Sequence, residues 1–221
     1  MRDPSSIQPS DPPLVRMFFE QVPESFLIDT CRTLIEAYGA AAKYCEENYP
    51  IEQAHNLYPY ERLATFERNW TNLCTRYPGV NAAAKLNAAG NYYHTAVVCG
   101  SFVLTESAVY GPDDIVRQAV FRRTYAEDGQ TSFPFAQQEP LPPGDRRIYA
   151  IILHGPTRKI LRQPGFISVA FPARDCASYI ASRDLLLRFS GRVSAGVVVP
   201  VAPPLSPLTL RPGEKVEDQE S

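Results

Sequence analysis

The spacing of apolar residues changes once along the chain, near residue 91, and that change limits what each part can become. Before it, Leu27, Cys31, Leu34, Ile35, Tyr38, Ala42 and Cys45 recur at steps of three and four. Such steps stack side chains on one face of a helix, which predicts a helix over 23–48 closed by Pro50. A second stripe, Leu63, Phe66, Trp70, Leu73, Cys74 and Tyr77, predicts a helix that begins near Pro59 and ends at Tyr77-Pro78-Gly79. The alanine-rich stretch 80–89, stopped by Gly90, reads as a third, shorter helix. After residue 91 the segments NYYHTAVV and SFVLTESAV are rich in β-branched and aromatic residues, with Cys99-Gly100 between them suited to a tight turn. RIYAIILH (147–154) and GFISVAFP (165–172) are two further strands, and GRVSAGVVVP (191–200) offers a last short one. Gly111-Pro112-Asp113-Asp114 marks a helix start, and 173–189 carries a helical stripe.

The fold class expected from this order is α+β: three N-terminal helices packed on a mostly antiparallel sheet of four to five strands. The expected organisation is a loose arm over 1–13 and a single domain over 14–200, helical over 14–90 and sheet over 91–200. A disordered tail over 201–221 follows, rich in proline and then acidic. Residues 127–146, with four prolines in TSFPFAQQEPLPPGDR, read as a long surface loop or linker.

No stretch reaches the ~18 uncharged apolar residues of a membrane helix, and the N-terminus lacks the apolar core of a signal peptide. Five cysteines with no CxxC pair suit a reducing compartment better than a disulfide frame or zinc site. The 18 arginines against four lysines, with 21 prolines, match the codon bias of a GC-rich genome, so the arginine excess alone is not phosphate recognition. A cytoplasmic, prokaryotic protein is the expectation. Net charge is −2, yet residues 1–75 carry six bases against eleven acids and residues 115–162 eight bases against four acids. The expected molecule is polarised, acidic at one end and basic at the other.

Three residues are candidates for catalysis. If Cys99-Gly100 is a hairpin turn, a register in which paired residue numbers sum to 199 puts His94 opposite Thr105 with Glu106 diagonal to it. A histidine beside a carboxylate is the pairing a general base needs. The third candidate, His154, ends a buried strand. Its surroundings, LHGPTRKILRQPGF (153–166), resemble the His-Gly strand of ADP-ribosyltransferases, in which the histidine helps hold the nicotinamide ribose. The resemblance spans fourteen residues, and that family also needs a later tyrosine and a catalytic glutamate on further strands. Here the glutamates after Gly155 are Glu214, Glu217 and Glu220, all in the tail.

Metal and cofactor signatures are lacking: His55, His94 and His154 have no partner at helical ligand spacing, and neither GxxxxGK[ST] nor GxGxxG occurs. The remaining constellation is basic: Arg117, Arg122 and Arg123 on one helix, Arg147 (with Arg146) at a strand start, and Arg158, Lys159 and Arg162 in a connecting loop. Cations on projecting elements are what phosphate contacts require, and Tyr125, Phe133 and Phe135 could stack on unpaired bases. The leading expectation is therefore a binding protein, for nucleic acid or a partner protein, acting through a basic face of its C-terminal sheet. The alternative is a small hydrolase or transferase using His94 with Glu106, or His154. A third option is an assembly subunit with Trp70 at a homo-oligomer interface.

Overall fold

Proline opens each of the first three helices. Pro12, Pro23 and Pro50 stand at the N-cap positions with φ of −53°, −57° and −55° and extended ψ. The ring presets φ at a place where a missing N–H leaves no bond unmade. The computed structural model describes residues 11–87, 90–130, 147–157 and 160–193. In it α1 (Pro13–Gln21), α2 (Glu24–Asn48) and α3 (Ile51–Cys74) precede a sheet of β1 (Val80–Leu86), β2 (Tyr93–Cys99), β3 (Phe102–Ala108), β4 (Ile148–Thr157), β5 (Ile160–Pro172) and β6 (Tyr179–Asp184). Helix α4 (Val120–Gln130) lies between β3 and β4, and the short α5 (Leu185–Arg188) and α6 (Ser190–Val193) follow β6.

The six strands lie side by side in chain order. β3 and β4 run parallel and every other pair is antiparallel. The class is α+β, with one or two strands more than expected. Alternation of side chains along the strands splits the interior into two cores. Val97, Cys99, Phe102, Leu104, Ile148, Ala150, Ile152, Ile167, Val169 and Phe171 face α1–α3 in the larger core. Ala96, Val103, Tyr149, Ile151, Leu153 and Ala170 face the other way with Ala126 of α4. Phe18 fixes α1 to the sheet by edge-to-face contacts with Phe102 and Phe171 at 5.1 and 5.4 Å. The Trp70 indole N–H donates to Thr30 Oγ1 at 3.1 Å and ties α3 to α2. Trp70 is completely buried, so its ring takes no part in an exposed interface.

Several boundaries differ from the sequence reading. The expected helix at 80–89 is strand β1, paired residue by residue with β2 from Val80↔Cys99 to Leu86↔Tyr93; tertiary pairing overrides alanine's helical preference. The third N-terminal helix is instead α1. Helix α3 starts at Ile51 and carries Pro59 inside it rather than at its start. Gly111–Asp114 is a turn in which Gly111 N–H donates to Asp114 Oδ2 at 2.8 Å, and α4 begins only at Val120. The segment 173–189 is a turn followed by β6 and α5 rather than one helix. At 190–193 the chain is helix α6; the rest of the expected last strand and the tail over 201–221 lie outside the described residues, as do residues 1–10 and 131–146. No helix of the described residues is long and apolar enough to cross a membrane.

Candidate functional site

The turn between β2 and β3 sets the geometry of the site. Gly100 has φ of +55°, in the left-handed region that glycine enters without strain. A side chain there would also meet Gln21 Oε1 at 2.8 Å, the oxygen that accepts the Ser101 N–H. Pairing from this turn runs Cys99↔Phe102, Val98↔Val103 and Val97↔Leu104, and stops. Extending that register would bring Thr95 opposite Glu106. Side chains take over this rung instead. Thr95 N–H donates to Glu67 Oε1 of α3 at 2.9 Å, and the Glu106 carbonyl accepts from Arg122 at 3.5 Å. Both strands continue, β2 paired with β1 and β3 with β4. The sheet is therefore split between β2 and β3 at the end away from the turn, with a carboxylate entering from one face and a guanidinium from the other.

On the helical face, Glu106 Oε2 lies 2.7 Å from His154 Nε2, and His154 Nδ1 lies 2.8 Å from the Tyr38 hydroxyl. His154 is 1% exposed and Tyr38 fully buried. One proton arrangement satisfies every atom: Tyr38 O–H donates to Nδ1, and Nε2–H donates to an ionised Glu106. Burial holds the His154 imidazole below its usual range, and Arg62 pushes the same way against Glu106. Burial works against ionisation of Glu106, but the His154 bond with the cations Arg62 and Arg122 outweighs it and holds the carboxyl below the usual range. Burial raises the Tyr38 phenol, which keeps it a donor. Arg62 is 6% exposed and lies over the Tyr38 ring, 4.7 Å from its centroid.

Glu67 behaves oppositely. Burial pushes its carboxyl up to about 7; the Thr95 N–H works against this, and the Glu106 charge adds to it. Two carboxyl groups thus meet at one split with their proton affinities driven apart. Tyr92, exposed just before β2, feels both: burial and then the charges of Glu67 and Glu106 push its phenol up to about 12.

His94 is not part of this group. Its neighbour Thr95 shares a face with Glu106, so alternation turns His94 to the α4 side. The observed register sums to 201, two places from the expected 199, and no register of one parity brings His94 and Glu106 to the same face. Its ring stacks on Phe121 with centroids 3.8 Å apart. Both nitrogens are buried and, among the described residues, have no hydrogen-bond partner. Burial, then Arg122 and Lys85, hold the ring below its usual range. Nearby, Thr105 Oγ1 and the Tyr149 hydroxyl are 2.7 Å apart, and Arg122 donates to Ser107 Oγ at 3.1 Å.

The cations expected on one basic face are divided. Arg122 is turned onto the sheet, while Arg117, Arg123 and Arg147 are exposed, Arg123 facing Glu127 at 3.8 Å. Arg162 lies on the helical side, where its Nε donates to Glu46 Oε1 of α2 at 3.1 Å. Arg158 and Lys159 lie outside the described residues. Gly155 has a steric reason to be glycine: a Cβ there would lie 2.1 Å from the Val109 carbonyl. Both ring nitrogens of His154 are engaged by Tyr38 and Glu106, so in this arrangement neither is free to hold a ribose.

Tyr38, Arg62 and Glu67 were not legible as site residues. Arg62 did leave a signal, standing four residues before Phe66 and eight before Trp70, a charge on the buried stripe of α3. Among the described residues no three histidine, cysteine or acidic side chains come together as a metal site. Comparison with family models, with curated proteins and with solved structures gives no match.

Proposed function

We propose that this chain is a small acid–base enzyme, a hydrolase or transferase, working at the split between β2 and β3. The observation that carries the reading is the pair Glu67 and Glu106, two carboxyl groups beside the interrupted Thr95–Glu106 rung whose environments push their proton affinities in opposite directions. Such a pair assigns its own roles: the raised group gives a proton and the lowered one takes it or holds a positive charge. Glu67 is the general acid. Glu106 is the base, and His154, itself held by Tyr38, is its positioning residue. The rate should fall as pH rises past about 7, where Glu67 loses its proton, and fall again on the acid side as Glu106 gains one. Five free, buried cysteines support a reducing compartment for this chemistry.

The nucleic-acid reading has less support, because Arg122 and Arg162 point to opposite sides of the sheet and are engaged within the chain. It would rest on Arg117, Arg123 and Arg147. Titration with labelled oligonucleotides at low and high salt separates the two readings, since phosphate contacts weaken steeply with salt.

The test is a panel of p-nitrophenyl esters, phosphates and glycosides assayed between mildly acidic and mildly basic pH. Turnover by the native chain, lowered by roughly 100-fold or more in Glu67→Gln and Glu106→Gln variants of native-like melting, is the expected result. No turnover of any class, or turnover that survives both substitutions, overturns the proposal.

A further inference from the structure

The two edges of the sheet are treated differently. Along β6, α1 packs against the strand and buried Asp11 forms an ion pair with Arg183. The Tyr179 hydroxyl of the same strand also bonds the backbone of Asp114 and Val116. Along β1, five of seven residues (Asn81 and Ala83 to Leu86) are exposed, and among the described residues no strand lies beyond it. Proteins normally block such an edge with charges, proline or a bulge. β1 carries one charge, Lys85, no proline and an unbroken register with β2.

The direction of its free bonding groups follows from the turn that joins β1 to β2. Asn87 N–H donates to the Tyr92 carbonyl at 2.8 Å, a rung whose numbers sum to 179 as do all β1–β2 pairs. Residues 81, 83 and 85 therefore bond inward to β2, while Ala82, Ala84 and Leu86 present N–H and C=O outward. We infer that β1 pairs with β1 of a second copy of this chain, antiparallel about Ala83, to join two sheets into one.

The occupant is argued from the strand's own sequence. Centred on Ala83, the pairing sets Ala82 against the partner copy's Ala84, so that the outward N–H and C=O of both alanines bond across the seam, and the Leu86 N–H meets the Val80 carbonyl, the Val80 N–H being given to Tyr77 within its own chain. It sets Val80 against Leu86, giving the half-exposed Leu86 side chain an apolar neighbour. It sets Lys85 against Asn81 rather than against another lysine, so no like charges meet. Three consecutive alanines let two backbones approach without side-chain clash. A strand pair of this length buries less than the roughly 1,200 Å² of a standard stable interface, so association is weak and rises with concentration.

Sedimentation of the full chain from low micromolar to near millimolar concentration reads the proposal. The expected result is a shift from monomer to dimer across that range. Ala84→Pro removes an outward N–H and leaves the β1–β2 ladder intact, so it should hold the chain monomeric with little change in melting. Asn81→Lys places lysine opposite Lys85 twice and should weaken the dimer by roughly tenfold, while Asn81→Glu should tighten it by a similar factor. Both substitutions are on the surface and leave folding unaffected. A chain that stays monomeric throughout, or a dimer indifferent to Ala84→Pro, overturns the inference. A dimer lost in Ala84→Pro but equal in the two Asn81 variants overturns the register about Ala83.

Discussion

Glu106 and His154 both stand out in the sequence, one as a carboxylate among β-branched residues and the other as a strand-ending histidine. Their partnership does not stand out, because 48 positions separate them and the link is a parallel strand pair whose register no local pattern specifies. The pairing of His94 with Glu106 fails on parity alone: the expected and observed registers differ by two places, and both turn the two side chains to opposite faces of the sheet. Glu67 is legible only as one charge on a helix, and its meaning comes from the missing rung at Thr95. Its proton affinity gives a signed prediction. In the unfolded chain a glutamate titrates near 4.3, and in the folded protein Glu67 titrates near 7. Between these values the folded state keeps a proton that the unfolded state gives up. Glu67 therefore costs stability progressively as pH rises through that window, and the cost is complete above it. Glu67→Gln keeps an oxygen for the Thr95 N–H and removes the titration. The variant should melt above the native chain at pH near 8, with the gap closing as pH falls toward 4. His154 and Glu106 lose stability toward acid, the opposite sense, but they do so equally in both proteins and cancel. A gap that is constant with pH, or reversed, would show that Glu67 ionises freely.

At the scale of elements, periodicity was a good guide where a segment buries one face and a poor one where the neighbour decides. Helix α2 occupies the expected span because its stripe from Leu27 to Cys45 lies in the core. β1 was unreadable because its alanines bury little, and only β2 makes it a strand. Helix α3 shows a third case. Proline at position 59 pointed to a helix start, yet buried Ala54, Tyr58, Arg62, Phe66, Trp70 and Cys74 run in steps of four through it. The apolar face of the whole helix outweighs one lost backbone bond, the one residue 59 would make to the His55 carbonyl. Pro59→Ala restores that donor at an exposed position. It should stabilise the protein by on the order of 2 kcal/mol, the interior cost of proline less its gain from a stiffer unfolded chain. The denaturation midpoint should rise with an unchanged slope. A midpoint that stays or falls would mean that α3 is shaped around the proline ring.

Across the whole molecule, the charge asymmetry of the sequence finds an internal use. Asp11, Glu24 and Glu46 belong to the acidic N-terminal part, and each is ion-paired with an arginine of the C-terminal half: Arg183, Arg192 and Arg162 in turn. Of the three arginines only Arg162 belongs to the basic stretch 115–162, so one of the charges that suggested an outward basic face serves instead to hold the helical layer on the sheet, and composition could not tell these uses apart. Glu46 and Arg162 allow a clean measurement, because both are over 40% exposed and join α2 to β5. An exposed pair is worth little, about 0.2–1 kcal/mol, and salt screens it. Glu46→Arg and Arg162→Glu should each lower stability, since each sets like charges side by side, and the double exchange should recover most of the loss. The coupling from this cycle should be favourable at low salt and shrink toward zero at molar salt. Additive losses at low salt would mean that the pair does not form in solution. Arg162 would then be free to face a partner, and the case for an outward basic surface would be stronger than the ion pairs now allow.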